Sequence, residues 1–230
     1  MATAKCWLQG AVVIKVLPLL ASCLLSGLCL AQPLESSRTI GMELAARFAA
    51  VQSWRGEFEQ LLVDINGREQ QRVTGHFALQ QPNLIDWYYS EPLNQRLVSD
   101  GATLWFYDRD LEQVTVRPVA ELLAESPAAI LLGKLPAPDL YTFSYAEPDI
   151  GSGAVIERYT MARTGEGSSL TMGQVQELTL DWRGDELLTL RVTDNFGQQT
   201  TVSFKQLNRS AKLPASQFNF VVPRGVEVVR

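Results

Sequence analysis

Residues 80–116 read QQPNLIDWYYSEPLNQRLVSDGATLWFYDRDLEQVTV, and the reading of this stretch decides the fold. Ile85, Trp87, Tyr88, Tyr89, Trp105, Phe106 and Tyr107 fall in short runs separated by Pro82, Pro92 and Asp100-Gly101. Apolar and aromatic runs bounded by turn formers predict strands, here at 84–89, 95–99, 103–107 and 111–117, with Asp100-Gly101 as a hairpin turn. So much aromatic surface in short strands must either fill a core or line a pocket for something apolar. Patterning alone leaves both open.

Toward the N-terminus the period of two continues. Runs 54–65 and 69–80 flank Asn66-Gly67, the signal of a two-residue hairpin. In the second run Val73, Gly75, Phe77 and Leu79 share one face, while Arg72, Thr74, His76 and Gln80 share the other. Ahead of them Ser36 and Ser37 can cap a helix of about four turns, with Ile40, Leu44, Phe48 and Val51 on one face. Glu43 and Arg47, at i and i+4, mark its wet side.

Toward the C-terminus a helical interlude follows Pro118: Glu121 to Ala124, then Ser126-Pro127 as cap and first residue before Ala128 to Leu132, with Gly133 as the stop. Pieces this short must lean on the sheet. Pro136 to Asp139 is a loop, after which the period of two resumes. Leu178, Leu180 and Trp182 alternate with polar residues, as do Leu188, Leu190 and Val192; Asp194-Asn195-Phe196-Gly197 then turns the chain into 198–207. The glycine-rich stretches 151–153 and 165–173 read as exposed loops. The predicted class is mainly β with α: a single strongly curved antiparallel sheet, covered on its apolar face by the N-terminal helix and the short helices of 118–133.

Residues 1–31 are read apart from the fold, because Lys5 and Lys15 precede the apolar run Val16 to Ala31 and Cys29-Leu30-Ala31 resembles a small-x-small cleavage site. This predicts a signal peptide at 1–31 and one domain at 32–230 in the periplasm. A retained anchor is the alternative, and Leu20-Ala21-Ser22-Cys23 also resembles a lipobox whose Cys23 would be lipidated. Cleavage after Ala31 removes all three cysteines and two of twenty basic residues, leaving eighteen against twenty-five acidic residues, a charge of −7. A cysteine-free exported domain must stand on its core. Its acidity argues against nucleic acid or anionic headgroups as partners.

Catalysis finds little support. His76, the one histidine, lies on the polar face of its strand, and cysteines are absent after residue 31, so the usual zinc sites and other metal sites are not expected. Asp108, Asp110 and Glu112 lack the spacing of a calcium loop and read as a solvated turn. Neither a GxSxG elbow nor a Walker-type phosphate loop occurs in the chain. No cofactor is implied.

Taken together, several stretches resemble the periplasmic outer-membrane lipoprotein carrier proteins, the LolA family. These are Phe58-x-Gln60, Gly75-x-Phe77 leading to Pro82-Asn83-Leu84-x-x-Trp87, Val98-Ser99-Asp100-Gly101-x-x-Leu104-Trp105-x-Tyr107, Leu111-Glu112-Gln113, Asp194-x-x-Gly197-Gln198, Phe218-x-Phe220 and Pro223-x-Gly225-Val226. The resemblance implies an unclosed β-barrel with a helical lid, a monomeric chaperone that holds the acyl chains of lipid-modified lipoproteins. It also implies two partners, an inner-membrane ABC lipoprotein-release complex and an outer-membrane lipoprotein receptor. On this expectation Leu44, Phe48 and Val51 face Phe58, Phe77, Leu79, Ile85, Trp87 and Tyr89 across a hollow, which Leu122, Leu123, Ile130 and Leu131 close. Carriers of the family commonly latch the lid with an Arg just before the Pro-Asn pair; here that position is Gln81, whose amide donates without charge. Arg72 and Arg96 are candidate substitutes. The lipidated receptor of similar fold, discriminated by Cys23, and a lipid-acting enzyme are the alternative readings.

Overall fold

The period of two read from the sequence is realised in a computed structural model that describes residues 32–122, 127–135, 139–148, 155–164 and 175–230. The expected signal peptide, Cys23, Leu123, Ser126, the loops at 151–153 and 165–173 and most of the 136–139 loop lie outside the described residues. Residues 33–230 form one unit.

The chain opens with helix α1 (Gln32–Ala49) and continues through β1 (Ser53–Val63), β2 (Glu69–Gln80), β3 (Leu84–Tyr89), β4 (Gln95–Asp100), β5 (Thr103–Asp108) and β6 (Gln113–Pro118). Short helices α2 (Val119–Leu122) and α3 (Pro127–Leu131) precede β7 (Tyr141–Ala146), β8 (Glu157–Arg163), β9 (Val175–Arg183), β10 (Glu186–Asp194) and β11 (Gln199–Asn208). A 3-10 turn at Ala215–Phe218 and β12 (Glu227–Val229) complete it. All strands join one sheet in the order β12-β6-β5-β4-β3-β2-β1-β11-β10-β9-β8-β7, so β12 and β7 are edges that do not pair with each other. Every neighbour is antiparallel except β12, which runs parallel to β6, a pairing the hairpin signals did not predict. Inner-face residues from β1 to β5 and β8 to β11 share one apolar cluster with α1 and α3, which a flat sheet of this width could not bring about. The sheet therefore curls without closing.

The turns follow their side chains. Asp100 Oδ1 accepts the N–H groups of Ala102 and Thr103 at 2.9 and 2.8 Å, and Asp194 Oδ1 accepts those of Phe196 and Gln198 at 2.8 and 2.9 Å. The β1–β2 connection is longer than the two residues Asn66-Gly67 suggest. Asp64 N–H reaches the Arg68 carbonyl at 2.9 Å and Asp64 Oδ1 accepts from Asn66 and Arg68, with Gly67 at φ +77° taking the left-handed position. Asp108 likewise accepts from the N–H groups of Asp110 and Leu111 at 3.1 Å, so that acidic run is a turn.

Two further expectations are corrected. Helix α1 starts at Gln32, a turn ahead of the expected caps, and Ser37 is buried inside it; its Oγ accepts the Phe143 N–H at 2.8 Å and so covers the edge of β7. The outer face is not uniformly wet either. Residues 209–226 cross it as a strap under which Val98, Val114 and Ala78 are buried, with Phe220 packed on Trp105 and Tyr107 at ring-centroid distances of 6.1 and 6.0 Å. Beneath it Asp86 is 5% exposed and accepts from Arg96 at 2.8 Å and Gln217 at 3.2 Å, while Ser53 donates to the Ala211 carbonyl at 2.8 Å.

Candidate functional site

Alternation along β1, β2 and β3 brings Phe58, Phe77, Trp87 and Tyr89 together on the inner face. Trp87 stacks on Phe77 with centroids 4.8 Å apart and lies 4.6 Å from Phe58, whose ring meets Tyr89 edge-on at 5.4 Å. Phe58 fits because residue 75 has no side chain: a Cβ there would stand 2.6 Å from the Phe58 ring and 2.0 Å from the Tyr88 carbonyl oxygen. The Tyr89 phenol is pushed up to about 12 by its burial.

Helix α1 brings Leu44 and Phe48 to this same cluster; Val51, expected on the helix, lies just past its end at Ala49 and joins the cluster from the connection to β1. Leu79, Ile85 and Leu131 are also buried there and Ile130 is half-buried against them. All the expected acyl-contact residues with described side chains thus join one apolar body. Leu122 is described only as part of the α2 backbone. A second aromatic group lies where α1 ends. Phe48, Trp54 and Trp182 stand 5.7 to 6.5 Å apart, with the Arg47 guanidinium 5.4 Å from the Trp182 ring centre and that of Arg209 5.7 and 5.9 Å from Trp54 and Trp182. The indole N–H groups of Trp54 and Trp182 are buried without a hydrogen-bond partner among the described residues.

Glu43 is exposed and Arg47 half-buried, as expected of the wet side of the helix, and the two also form a polar clamp. Tyr159, buried on β8, donates to Glu43 at 2.8 Å; Arg47 pairs with Glu157 at 2.6 Å and donates to the Gly184 carbonyl at 3.2 Å. Burial and the Glu43 bond both hold the Tyr159 phenol well above its ordinary range. At Gly41 a Cβ would come within 3.2 Å of the Phe143 ring, so a bare backbone lets α1 sit close to β7. The helix is therefore fixed to the β7–β10 side of the sheet. Sequence separations of 110 residues and more hid these partners; only the i, i+4 spacing of Glu43 and Arg47 could have pointed to them.

The Gln81 N–H donates to the Gln52 carbonyl at 2.9 Å, and its side-chain nitrogen lies 3.9 Å from where a Cβ on Gly133 would stand, just past α3. The position thus adjoins the short helices, although its amide makes no hydrogen bond among the described residues. Neither proposed substitute reaches it. Arg72 bridges Glu59 and Glu69 on the outer face, and Arg96 pairs with Asp86 under the strap, because both sit at outward positions of their strands. His76 is exposed, its ring 5.0 Å from that of Tyr88 on the outer face.

The family model "Outer membrane lipoprotein carrier protein LolA" matches residues 49–221. An outer-membrane lipoprotein carrier protein of Methylobacillus flagellatus is 35% identical over 195 residues, covering 84% of this chain and 91% of its own length. One from Methylibium petroleiphilum is 35% identical over 205 residues, covering 89% and 96%. Among solved structures, an uncharacterized conserved protein from Thermus thermophilus shares the fold with TM-score 0.54 at 13% identity, over 82% of this chain and 98% of that one.

Proposed function

The chain belongs to the outer membrane lipoprotein carrier family, LolA, and from that membership we propose that it ferries lipid-modified proteins through the periplasm by enclosing their acyl chains between the curled sheet and its helices. The observation that carries this reading is the inner face itself: Phe58, Phe77, Ile85, Trp87 and Tyr89 of the strands, covered by Phe48 of α1, form one apolar body inside a sheet whose edge strands are not joined. Wetting a sixteen-carbon chain costs roughly 12 kcal/mol at about 0.8 kcal/mol per methylene. An aromatic inner face offsets most of that. Being non-directional, it accepts any cargo with the anchor.

The described side chains of this inner face exclude solvent, so cargo must displace the helices to enter. Leu44 and Phe48 part from the strand residues with α1, and Ile130 and Leu131 with α3. The chain works by binding rather than catalysis. With no nucleotide motif of its own, it takes direction from unequal affinities: an inner-membrane ABC complex loads it and an outer-membrane receptor unloads it. Residues 1–31 serve as its signal peptide.

The test is copurification. The chain is expressed with a tagged lipoprotein, and the soluble fraction is examined for a one-to-one complex with intact acyl groups. Its absence while the lipoprotein remains in membranes overturns the reading. The lipobox-like Leu20 to Cys23 motivates the receptor alternative, and N-terminal mass spectrometry decides it: a carrier begins at Gln32, a receptor at a triacylated Cys23.

A further inference from the structure

Trp54 is the second residue of β1, Trp182 the last but one of β9, Arg209 the residue after β11, and Arg47 lies in the last turn of α1, so the topology gathers all four at one end of the sheet. Three of their donors lack a partner: Trp54 Nε1, Trp182 Nε1 and Arg209 Nε are all buried and meet no acceptor among the described residues. Trp54 and Trp182 are 1% and 0% exposed, and the Arg209 guanidinium lies over both rings. Buried polar groups are partnered in nine cases of ten or more, and one left unpaired forfeits its hydration for nothing in return. Three unpaired donors gathered in one place point to a ligand that supplies acceptors. Arg209 donates through Nη1 to the Asp185 carbonyl at 2.8 Å, which leaves its Nε free for another partner.

We infer that this cluster is a subsite for the acyl carbonyl oxygens of the lipid anchor, a deepening that rests on the carrier reading above. An acyl anchor is apolar along its tails but carries ester and amide carbonyls where they meet the glyceryl and amine groups. Neutral carbonyls suit indole donors better than a phosphate would, since only one guanidinium edge is open and Asp185 already pairs with the other at 3.0 Å. The tails then run on toward Phe58 and Trp87, deeper on the same inner face. Trp54 and Trp182 thus place the head of the anchor at the end of the sheet where α1 and α3 finish, and fix which way round the cargo enters.

The test compares two synthetic lipopeptides on the purified protein, identical in chain length. One is an S-dipalmitoyl ester and the other its dihexadecyl ether, which keeps the tails and lacks the carbonyls. Displacement of a fluorescent fatty-acid probe should show the ester bound about tenfold more tightly, the worth of a bond to otherwise unpaired donors. Trp54→Phe and Arg209→Gln should each shrink that ratio, with circular dichroism confirming the fold. Equal affinity for ester and ether in the unaltered protein overturns the subsite and leaves the carrier reading standing. Failure to bind either lipopeptide overturns both.

Discussion

Replacing Trp87 by Ala separates a core filler from a cargo contact. The indole is 2% exposed between Phe58 and Phe77. Burying 150–250 Å² of aromatic surface at about 25 cal/mol/Å² is worth about 4–6 kcal/mol; alanine retains part of that burial and the site partly relaxes around it, which sets the loss near 4 kcal/mol, within the roughly 3–5 kcal/mol usual for such truncations. In a domain of this length that lowers the melting temperature by about 8–16 °C. If Trp87 also contacts acyl chains, the variant loses affinity as well. One indole face covers about two methylenes, worth about 1.6 kcal/mol, or roughly fifteenfold in Kd. Calorimetry gives the first quantity, and titration of a diacyl lipopeptide well below the melting temperature gives the second. The expected result is a loss in both. A protein destabilised by about 4 kcal/mol that binds the lipopeptide as tightly as before would show Trp87 to be filler, and the acyl assignment of the Phe58–Trp87–Tyr89 group would fall with it.

A Cβ at residue 75 meets backbone at 2.0 Å and the Phe58 ring at 2.6 Å, so Gly75→Ala should cost about 3 kcal/mol or more; an unchanged urea midpoint refutes this. Arg47→Ala should release α1 from Glu157 and Gly184, raising uptake of an apolar dye and the loading rate at a stability loss of about 1–3 kcal/mol. Dye binding that stays at the parent level argues against the clamp. The Tyr89 phenol titrates near 12 folded and near 10 unfolded, so its contribution is whole below pH 10 and is lost as pH rises to 12. Tyr89→Phe should therefore flatten part of the fall in urea midpoint over that window, and an equally steep fall refutes the assignment. Spin labels at Ser144→Cys and Val229→Cys, on the edge strands β7 and β12, should move apart on loading, whereas a fixed distance would mean a rigid frame.

Where a strand buries one face, its residues announced themselves: Val73, Gly75, Phe77 and Leu79 alternate in the sequence as they do in the sheet. The grouping of Phe48 with Trp87 on one apolar body was legible for the same reason, once the resemblance supplied the curvature. The strap was not. Residues 209–226 hold Pro214 and Pro223 and have no period, so nothing local says that Phe220 packs on Trp105 and Tyr107 on the outward face. The clamp escaped notice because an ion pair between Arg47 and Glu157 belongs to the packing of α1 on β8, which no stretch of sequence contains. Gln81 was found by its departure from the family pattern, and its place beside Gly133 explains why a residue there can touch the short helices.

The open seam between β7 and β12 bears on how a load is gripped. Because these strands share no ladder, parting them breaks no backbone hydrogen bond; the added girth is taken up as bend and twist spread through the sheet, with β1 near its middle. Such a frame acts as a sprung cuff. On the proposed carrier reading, its hold would tighten with the bulk inside it and relax smoothly as that bulk is drawn out, so a receiver that took the first chain would have less resistance to overcome for the next.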